Sequence, residues 1–369
     1  MKYLSAILLL LLPVCIYGQG QQVSLLFVGD LMQHQAQIDA AHRADGTYDY
    51  SHCFSLVKDD IGRADIAIGN LEVTLGGKPY RGYPQFSAPD EYLEALKDAG
   101  FDILATANNH SLDRHKRGLE RTLTLADSLG IPTVGTYRDA TDRAARYPLI
   151  VEKNGVRIAL LCATYGTNGI ATTPPNIVNS LDRNELAADI QDARSMKADV
   201  IIAIVHWGNE YHRHPDTGQR DLARWLIDQG VDHIIGSHPH VVQPVEWVEA
   251  ENGNKSLCYY SLGNYVSTQK QALCMLEAMA WVTIHVDENG PSIDVKKTGV
   301  LPLVCHYNAM PVRMESVYLL EDYTEEQAAS HGIKAYGGVD LRLSDLQKWT
   351  TEVFEGQVLT ADQVLGTNQ

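Results

Sequence analysis

The chain of 369 residues is long enough for one large domain, or for one domain with an appendage. Hydrophobic residues make up 45% of it, which is ample for a full core and argues against global disorder. The formal net charge of -16 at pH 7 argues against nucleic acids and anionic membranes as partners, because it leaves no excess of cationic side chains to neutralise phosphate. An acidic protein still binds anions where metal ions supply positive charge locally.

The N-terminus has the pattern of a secretory signal peptide. Lys2 precedes an apolar run at residues 4–16 that is too short to span a bilayer. The pattern predicts a signal peptide at residues 1–18, cleaved near Gly18, and export to the periplasm or to the outside of the cell. Lipid anchoring at Cys15 is the alternative, which a bulky valine before that cysteine disfavours. No later run is long and apolar enough to predict a transmembrane helix.

Five cysteines remain beyond this segment, namely Cys53, Cys162, Cys258, Cys274 and Cys305. Their scattered spacing excludes a zinc knuckle, and it permits but does not specify one or two disulfides in an exported protein.

Short apolar runs alternate with amphipathic segments as far as residue 240. Strands are predicted at 24–30, 64–71, 101–107, 132–137, 156–163, 200–205 and 233–236. Helices are predicted at 89–100, 117–130, 181–197 and 221–229, and Ser180 is the expected cap of the third. This rhythm predicts an α/β protein with a largely parallel sheet covered by helices on both faces.

The rhythm changes at about residue 241. Two pairs of strand-like runs are joined by turn signals at 251–254 and 288–290, which predicts antiparallel hairpins. The last segment, 315–369, is polar and is predicted to be mostly helical.

Polar side chains that can bind metals follow five of the predicted strands. They are Asp30, Glu72, Asn109 with His110, His206, and His238 with His240. The ends of parallel strands meet in one crevice, so these groups are expected to lie together. A proline between His238 and His240 predicts a fixed, extended chelating pair. Nitrogen and oxygen ligands of this kind suit one or two divalent transition-metal ions, Mn, Fe or Zn.

Each of these residues alone has an ordinary structural explanation. An Asp or Asn after a strand is usually a turn former or a helix cap, and a single buried histidine is more often satisfied by its neighbours than bound to metal. The combination of all five strand ends is what predicts a metal site.

Six motifs occur in order along the chain: GDLM, GNLE, ANNHSLDR, VHWGNEY, GSHPHVVQ and YSLGNY. With them, residues 23–270 resemble the CapA family of capsule-synthesis proteins, which is associated with poly-γ-glutamate capsules. The resemblance implies a layered, calcineurin-like metallophosphoesterase sandwich with mixed β-sheets flanked by helices. The expected domains are a CapA/metallophosphoesterase-like domain at 22–305 and a small, mostly helical extension at 306–369.

The resemblance also implies roles for the metal-capable residues. Asp30 and His240 are expected at a first metal and Glu72 at the bridging position. Asn109, His206 and His238 are expected at a second metal, and His110 is expected to be the general acid for the leaving group.

Two departures from the superfamily pattern weaken the first metal position. Met32 stands where a histidine ligand is usual, and the bridging residue is Glu72 rather than aspartate. His34 is a candidate replacement for the missing nitrogen, and occupancy by one ion rather than two is an alternative.

Four further residues are candidate substrate contacts. Arg81 lies in a proline- and aromatic-rich loop, and Glu210 and His212 follow His206 closely; solvated loops are the alternative explanation for both segments. Asn264 follows a strand and is expected either to face substrate or to orient a ligand histidine.

Two functions remain open on the sequence. The first is an exported hydrolase that cleaves a phosphoester or an amide of an envelope or capsule polymer, with an anionic polymer or a small molecule as substrate. The second is a non-catalytic, metal-containing binding or assembly component of capsule-polymer synthesis and export, with the capsule-synthesis machinery as its partner. The complete ligand set favours the first function, and Met32 favours the second.

Overall fold

The structure is a computed structural model that describes residues 21–288, 290–309 and 312–365. The predicted signal peptide at 1–18 and its Cys15 lie outside the described residues. Within the described ranges, no helix is both long and apolar enough to cross a membrane.

A nine-stranded mixed sheet forms one layer. Its main path runs β17-β16-β14-β1-β2-β3-β4, and β13 and β15 pair with β1 and β14. These strands are β1 (Gln21–Leu31), β2 (Ile66–Leu71), β3 (Ile103–Ala105), β4 (Thr133–Val134), β13 (Asn264–Val266), β14 (Leu276–Asp287), β15 (Gly290–Ile293), β16 (Gly299–Ala309) and β17 (Val312–Leu319). The pairs among β1 to β4 and β13 are parallel, whereas β14 to β17 pair antiparallel.

A six-stranded mixed sheet forms the second layer, in the order β11-β12-β10-β9-β7-β6. Its strands are β6 (Leu149–Lys153), β7 (Val156–Thr164), β9 (Val200–His206), β10 (His233–Ser237), β11 (Val245–Glu249) and β12 (Lys255–Tyr259). A small two-stranded sheet contains β5 (Thr136–Tyr137) and β8 (Ile177–Val178).

Twelve α-helices are described, and most connect or flank these strands. They are α1 (Gln35–Ala41), α2 (Ser51–Phe54), α3 (Lys58–Ile61), α4 (Asp90–Ala99), α5 (His115–Leu129), α6 (Ala140–Arg146), α7 (Arg183–Ser195), α8 (Thr217–Asp228), α9 (Glu325–Ser330), α10 (Ile333–Gly337), α11 (Leu343–Phe354) and α12 (Ala361–Leu365). Short 3₁₀ turns lie at Ala272–Met275, Val295–Lys297 and Leu320–Asp322. Gly100 and Gly130 end α4 and α5 in the left-handed conformation, as the sequence predicts.

The two sheets pack on each other, and strand β1 shows how. Val23, Leu25 and Phe27 join the core between the sheets, whereas Leu26 and Val28 join the core on the opposite face. The side chains of a strand alternate between its two faces, so β1 is buried on both.

The layered sandwich of mixed sheets is confirmed, but the single, largely parallel sheet predicted from the strand rhythm is wrong. The run at 132–137 divides between β4 and β5, which belong to different sheets, at Gly135 with its φ of 117°. Hydrophobic periodicity identifies a strand but not the sheet that it joins. The predicted cap of α7 is also corrected, because Asp182 rather than Ser180 accepts the amide hydrogen bonds at its start.

Both predicted hairpins are present, as β11–β12 and β14–β15. The division of the chain at residue 305 stays a prediction. Strand β16 continues past residue 305, and β17 pairs with β16. Residues 306–309 and 312–319 are therefore strand, and the next α-helix begins at Glu325. Antiparallel pairing of β17 with β16, and of β16 with β14, determines this segment, which its polar composition does not reveal. The five cysteines in the described ranges are buried, and none forms a disulfide.

Gly29 brings β13 against β1 beside the site. A Cβ at this position would lie 1.9 Å from the carbonyl oxygen of Gly263. The close approach allows the amide of Asp30 to donate to that oxygen at 3.0 Å and sets Asp30 beside Asn264 in the register.

We therefore expect Gly29→Ala to lower the free energy of unfolding by about 1–3 kcal/mol or more, because backbone must move to accept the methyl group. Urea denaturation measures this change. Gly166→Ala is the control, since a Cβ there meets nothing within 4 Å. Equal midpoints for the two variants would contradict the role given to Gly29.

Candidate metal centre

The seven residues predicted at the site lie together, and all are buried. They follow the carboxyl ends of β1, β2, β3, β9 and β10, which meet at one edge of the two sheets: Asp30, Glu72, Asn109, His110, His206, His238 and His240. The individual roles given to these residues stay predictions.

Asp30 is held in its ionised form by its neighbours. Its two carboxylate oxygens lie 2.8 Å from the donating amide of Asn70 and 3.0 Å from Nδ1 of His240. Burial alone raises the pKa, but the hydrogen bond and charge of His240 outweigh it, so the pKa of Asp30 falls below its ordinary value.

Glu72 is fully buried, and its Oε1 has no hydrogen-bond partner among the described residues. That oxygen lies 3.7 Å from Nε2 of His206 and 3.9 Å from Nε2 of His240. Burial and the nearby charge of Asp30 raise the pKa of Glu72 well above its ordinary value. An unpartnered, buried carboxylate oxygen that faces two imidazoles is costly without a cation beside it.

His206 and His238 are poised to act as neutral ligands. Burial, followed by the charges of neighbouring histidines, lowers the pKa of His206 well below its ordinary value and that of His238 to about 4. Nδ1 of His206 lies 2.9 Å from Ser237 Oγ, and Nε2 of the same ring lies 2.9 Å from Asn109 Oδ1. Nδ1 of His238 has no hydrogen-bond partner in the described part of the chain. Neutral imidazole is the form that binds metal.

The backbone of the His238–His240 turn differs from the extended form expected. His238 has φ of 101° and His240 has φ of 58°. Positive φ at residues with a side chain is strained and is found most often at functional sites. The turn directs both rings toward Glu72.

Two groups of ligand atoms have spacings that fit a metal ion. Glu72, His238 and His240 form one, and Asp30, Glu72 and His206 form the other, each with its atoms within 4.8 Å of one another. Glu72 is common to both, as a bridging carboxylate must be. The donor set of imidazole and carboxylate fits Mn, Fe or Zn. The predicted grouping, with His240 beside Asp30 and His206 beside His238, stays a prediction.

Asn109 and His110 connect the ligands to a buried acid that the sequence analysis missed. Nδ1 of His110 lies 2.7 Å from Oδ2 of Asp113, which also accepts the amide hydrogen of Phe86 at 2.7 Å. Burial raises the pKa of Asp113, and the hydrogen bond from His110 opposes this effect. The spacing of three residues from His110 to Asp113 was the available signal.

Met32 and His34 bear on the first metal position. Met32 is buried in the core, and His34 belongs to neither group of ligand atoms. Nδ1 of His34 lies 3.3 Å from the donating amide of Thr268, and its ring contacts Phe86 edge-on. His34 therefore does not replace the missing ligand in this arrangement.

The four candidate substrate contacts lie in two environments. Arg81, Glu210 and His212 are exposed, on loops beside the site. Asn264 is fully buried, and its Oδ1 lies 3.0 Å from Nδ1 of His240, the orienting arrangement that the sequence analysis allowed as its alternative.

Asn70 and Asn108 also lie at the ends of predicted strands but were given no role from the sequence, and Tyr165 was not predicted at the site. Asn70 and Asn108 form a buried amide network behind Asp30 and Glu72. Tyr165 is half exposed, and its ring centroid lies 4.6 Å from that of His238. Tyr165 directly follows β7, so its place after a strand was the signal that could have identified it.

Fold and site together define a two-sheet α/β protein with a buried cluster of metal-ligating side chains. The model of the family described as bacterial capsule synthesis protein PGA_cap matches residues 24–269, and the chain belongs to this family. The CapA resemblance predicted from the motifs is thereby confirmed.

Two relatives carry related descriptions. The chain is 28% identical to the capsule biosynthesis protein CapA of Bacillus anthracis, over 75% of this chain and 67% of the relative. It is 29% identical to the PGA biosynthesis protein CapA of Bacillus subtilis, over 80% and 75% of the two chains.

Solved structures with a similar arrangement are more distant. The match to NAD nucleotidase from Haemophilus influenzae has a TM-score of 0.49 at 14% identity. It covers 91% of this chain and 60% of the nucleotidase chain. The calcineurin-like phosphoesterase YfkN from Bacillus subtilis has a TM-score of 0.46 at 13% identity, over 90% and 97% of the two chains.

The site predicts metal binding that depends on His238. In protein purified without chelator we expect about one equivalent or more of a transition metal, and His238→Gln should weaken the affinity by at least about tenfold because a ligand is lost. Elemental analysis and metal titration measure both values.

His233→Gln is the matched control, since His233 begins the strand that His238 follows and is also buried, but belongs to neither group. Less than about 0.2 equivalents in the wild-type protein, or equal losses in both variants, would refute the metal centre.

Proposed function

We propose that this chain is an exported, metal-dependent hydrolase that cleaves a phosphoester or an amide bond of a capsule or envelope polymer. The unpartnered Oε1 of Glu72, buried between the Nε2 atoms of His206 and His240, is the observation that carries the proposal. Both oxygens of the buried Glu277 also have no hydrogen-bond partner among the described residues, but only Glu72 belongs to the two groups of ligand atoms.

Asp30, Glu72, Asn109, His206, His238 and His240 would hold one or two divalent transition-metal ions. Bound there, such ions lower the pKa of water, so that it becomes a nucleophile near neutral pH, and neutralise charge on the transferred group. Glu72 offers one carboxylate to both groups of ligands, and Asn264 and Asn70 orient His240 and Asp30.

His110 is the proposed general acid. With Nδ1 directed at Asp113, Nε2 is the nitrogen that would donate a proton to the leaving group. Phe86 packs against the ring at a centroid distance of 4.6 Å and donates its amide to Asp113, so it fixes both members of the pair.

The polymer substrate is supported by membership of the capsule synthesis family and by the names of the two relatives, capsule biosynthesis protein CapA and PGA biosynthesis protein CapA. Phosphoester and γ-glutamyl amide cleavage would use the same water and the same acid. Export follows from the pattern at residues 1–18, and the capsule-synthesis machinery is the proposed partner.

A second candidate is a non-catalytic binding or assembly component that keeps the site for structural metal. Met32 favours this function, because an apolar side chain buried in the core stands where the superfamily has a ligand, and His34 does not replace it.

The two candidates differ in the expected effect of Glu72→Gln. If the chain is a hydrolase, this variant should lower turnover by at least about a hundredfold. The neutral amide of glutamine supplies no negative charge to the metal ions and cannot replace a carboxylate that serves both of them. A screen of metal-loaded protein against phosphomonoesters, phosphodiesters and γ-glutamyl peptides identifies the substrate for the measurement. Equal rates in variant and wild type, at equal metal content, would leave the non-catalytic candidate.

The acid role of His110 predicts a dependence on the leaving group. We expect Asp113→Asn to lower kcat by roughly a hundredfold to ten-thousandfold for an alkyl leaving group. It should lower kcat far less for p-nitrophenol, which leaves without a proton. Unchanged metal content and the paired substrates are the internal controls, and an equal loss on both would show that Asp113 acts only on the structure.

A further inference from the structure

A pocket of about 690 Å³ lies beside the candidate site and is not accounted for by the proposed chemistry. Helix α1 forms one wall with Gln35, and the adjoining turn provides His42 and Tyr48. The 77–87 loop provides the other wall with Lys78 and Tyr80. This volume is within the range usual for small-ligand sites.

The pocket is joined to the catalytic residues by contacts along the 77–87 loop. Phe86, near one end of the loop, packs on His110 with their ring centroids 4.6 Å apart. The ring of His34 packs on the same Phe86 at a centroid distance of 5.5 Å. His34 precedes Gln35 in the chain, and Gln35 Oε1 accepts the amide hydrogen of Gly82 at 3.2 Å.

The rings of His110 and His34 are therefore within about 10 Å of each other, a distance that about three extended peptide residues span. The pocket, whose wall includes Gln35 next to His34, therefore lies close to the proposed general acid.

The loop itself is held in place. The backbones of Arg81 and Ser87 exchange two hydrogen bonds, and the hydroxyl of Ser87 donates to the carbonyl of Gly77 at 2.8 Å. The hydroxyl of Thr74 donates to the carbonyl of Phe86 at 2.6 Å. A binding surface on this loop is preorganised, which lowers the entropy cost of binding.

The exposed side chains of the loop suit a carboxylate-bearing chain. Lys78 and Arg81 form no ion pair with a described residue, in a protein of net charge -16. Tyr48 and Tyr80 meet edge-to-face at 5.3 Å, and His42 meets Tyr48 at 5.1 Å, so the pocket offers ring surfaces for methylene groups. Asp39 is acidic, but its carboxylate accepts the side-chain amide of Gln35 at 2.8 Å.

We propose that this pocket is a distal subsite for a polyanionic, carboxylate-bearing polymer, with Lys78 and Arg81 pairing with its carboxylates while an upstream bond lies at the metal centre. The inference rests on the proposed function for its polymer substrate. The subsite identifies the protein surface that would hold the polymer. It also explains why a longer polymer would bind more tightly than a short one.

Calorimetric titration of the full chain with γ-linked glutamate oligomers tests the subsite without turnover. We expect an oligomer of about eight residues to bind at least about tenfold more tightly than a dipeptide, and Lys78→Ala to remove about fivefold of that gain. The dipeptide affinity should not change. Lys78→Arg should retain the gain, and Tyr80→Ala should lose it with unchanged circular dichroism.

Lys255→Ala is the matched control, because Lys255 is exposed and lies on the β11–β12 hairpin. Wild-type affinity for the long oligomer in Lys78→Ala and Tyr80→Ala would overturn the subsite. Competition by a neutral oligosaccharide, with no effect of Lys78→Ala, would overturn its assignment to carboxylates. Lys78-dependent binding without hydrolysis of the oligomer would refute the amide-cleaving form of the proposed function and leave the subsite standing.

Discussion

The burial of the Glu72 carboxylate between two imidazoles is the constraint around which the site is organised. Two carboxylates and three histidines occupy a water-poor edge between two sheets, and one oxygen of Glu72 has no donor within the described chain. Leaving such a group unpaired destabilises the fold by several kcal/mol. A bound cation would offset that cost, so the stability of this edge and the chemistry of the site depend on the same atoms.

The surrounding fold follows from the need to hold these groups in place. Gly29 permits β13 to approach β1, which brings Asn264 to His240, and Ser237 at the end of β10 meets His206. The strained turn around His238 persists because buried neighbours on both sheets determine it. Outside the centre, the 77–87 loop connects the acid pair of His110 and Asp113 to the aromatic pocket. The proposed catalytic pair and the proposed polymer surface therefore contact one ordered loop.

Sequence patterns were informative about the ligands because parallel strands bring their carboxyl ends to a common edge. That single geometric rule brought Asp30, Glu72 and His206 together before any coordinates. Asp113 was missed because its contact with His110 lies in the loop after β3 rather than at a strand end, and Tyr165 was missed although it directly follows β7. Arg81 was assigned to a substrate loop, but the sequence could not show that the same loop forms a pocket.

The sequence by itself determined the family, the alternation of strands and helices, and the residue types at the metal centre, because these depend on local periodicity and on ordered motifs. Tertiary structure alone decided that the strands divide between two sheets. It also decided that β14 joins the sheet of β1, about 250 residues earlier in the chain, and that Glu72 belongs to both groups of ligands. Pairing between distant strands and the spacing of the candidate ligand atoms depend on the packing of the whole chain, which no local pattern specifies.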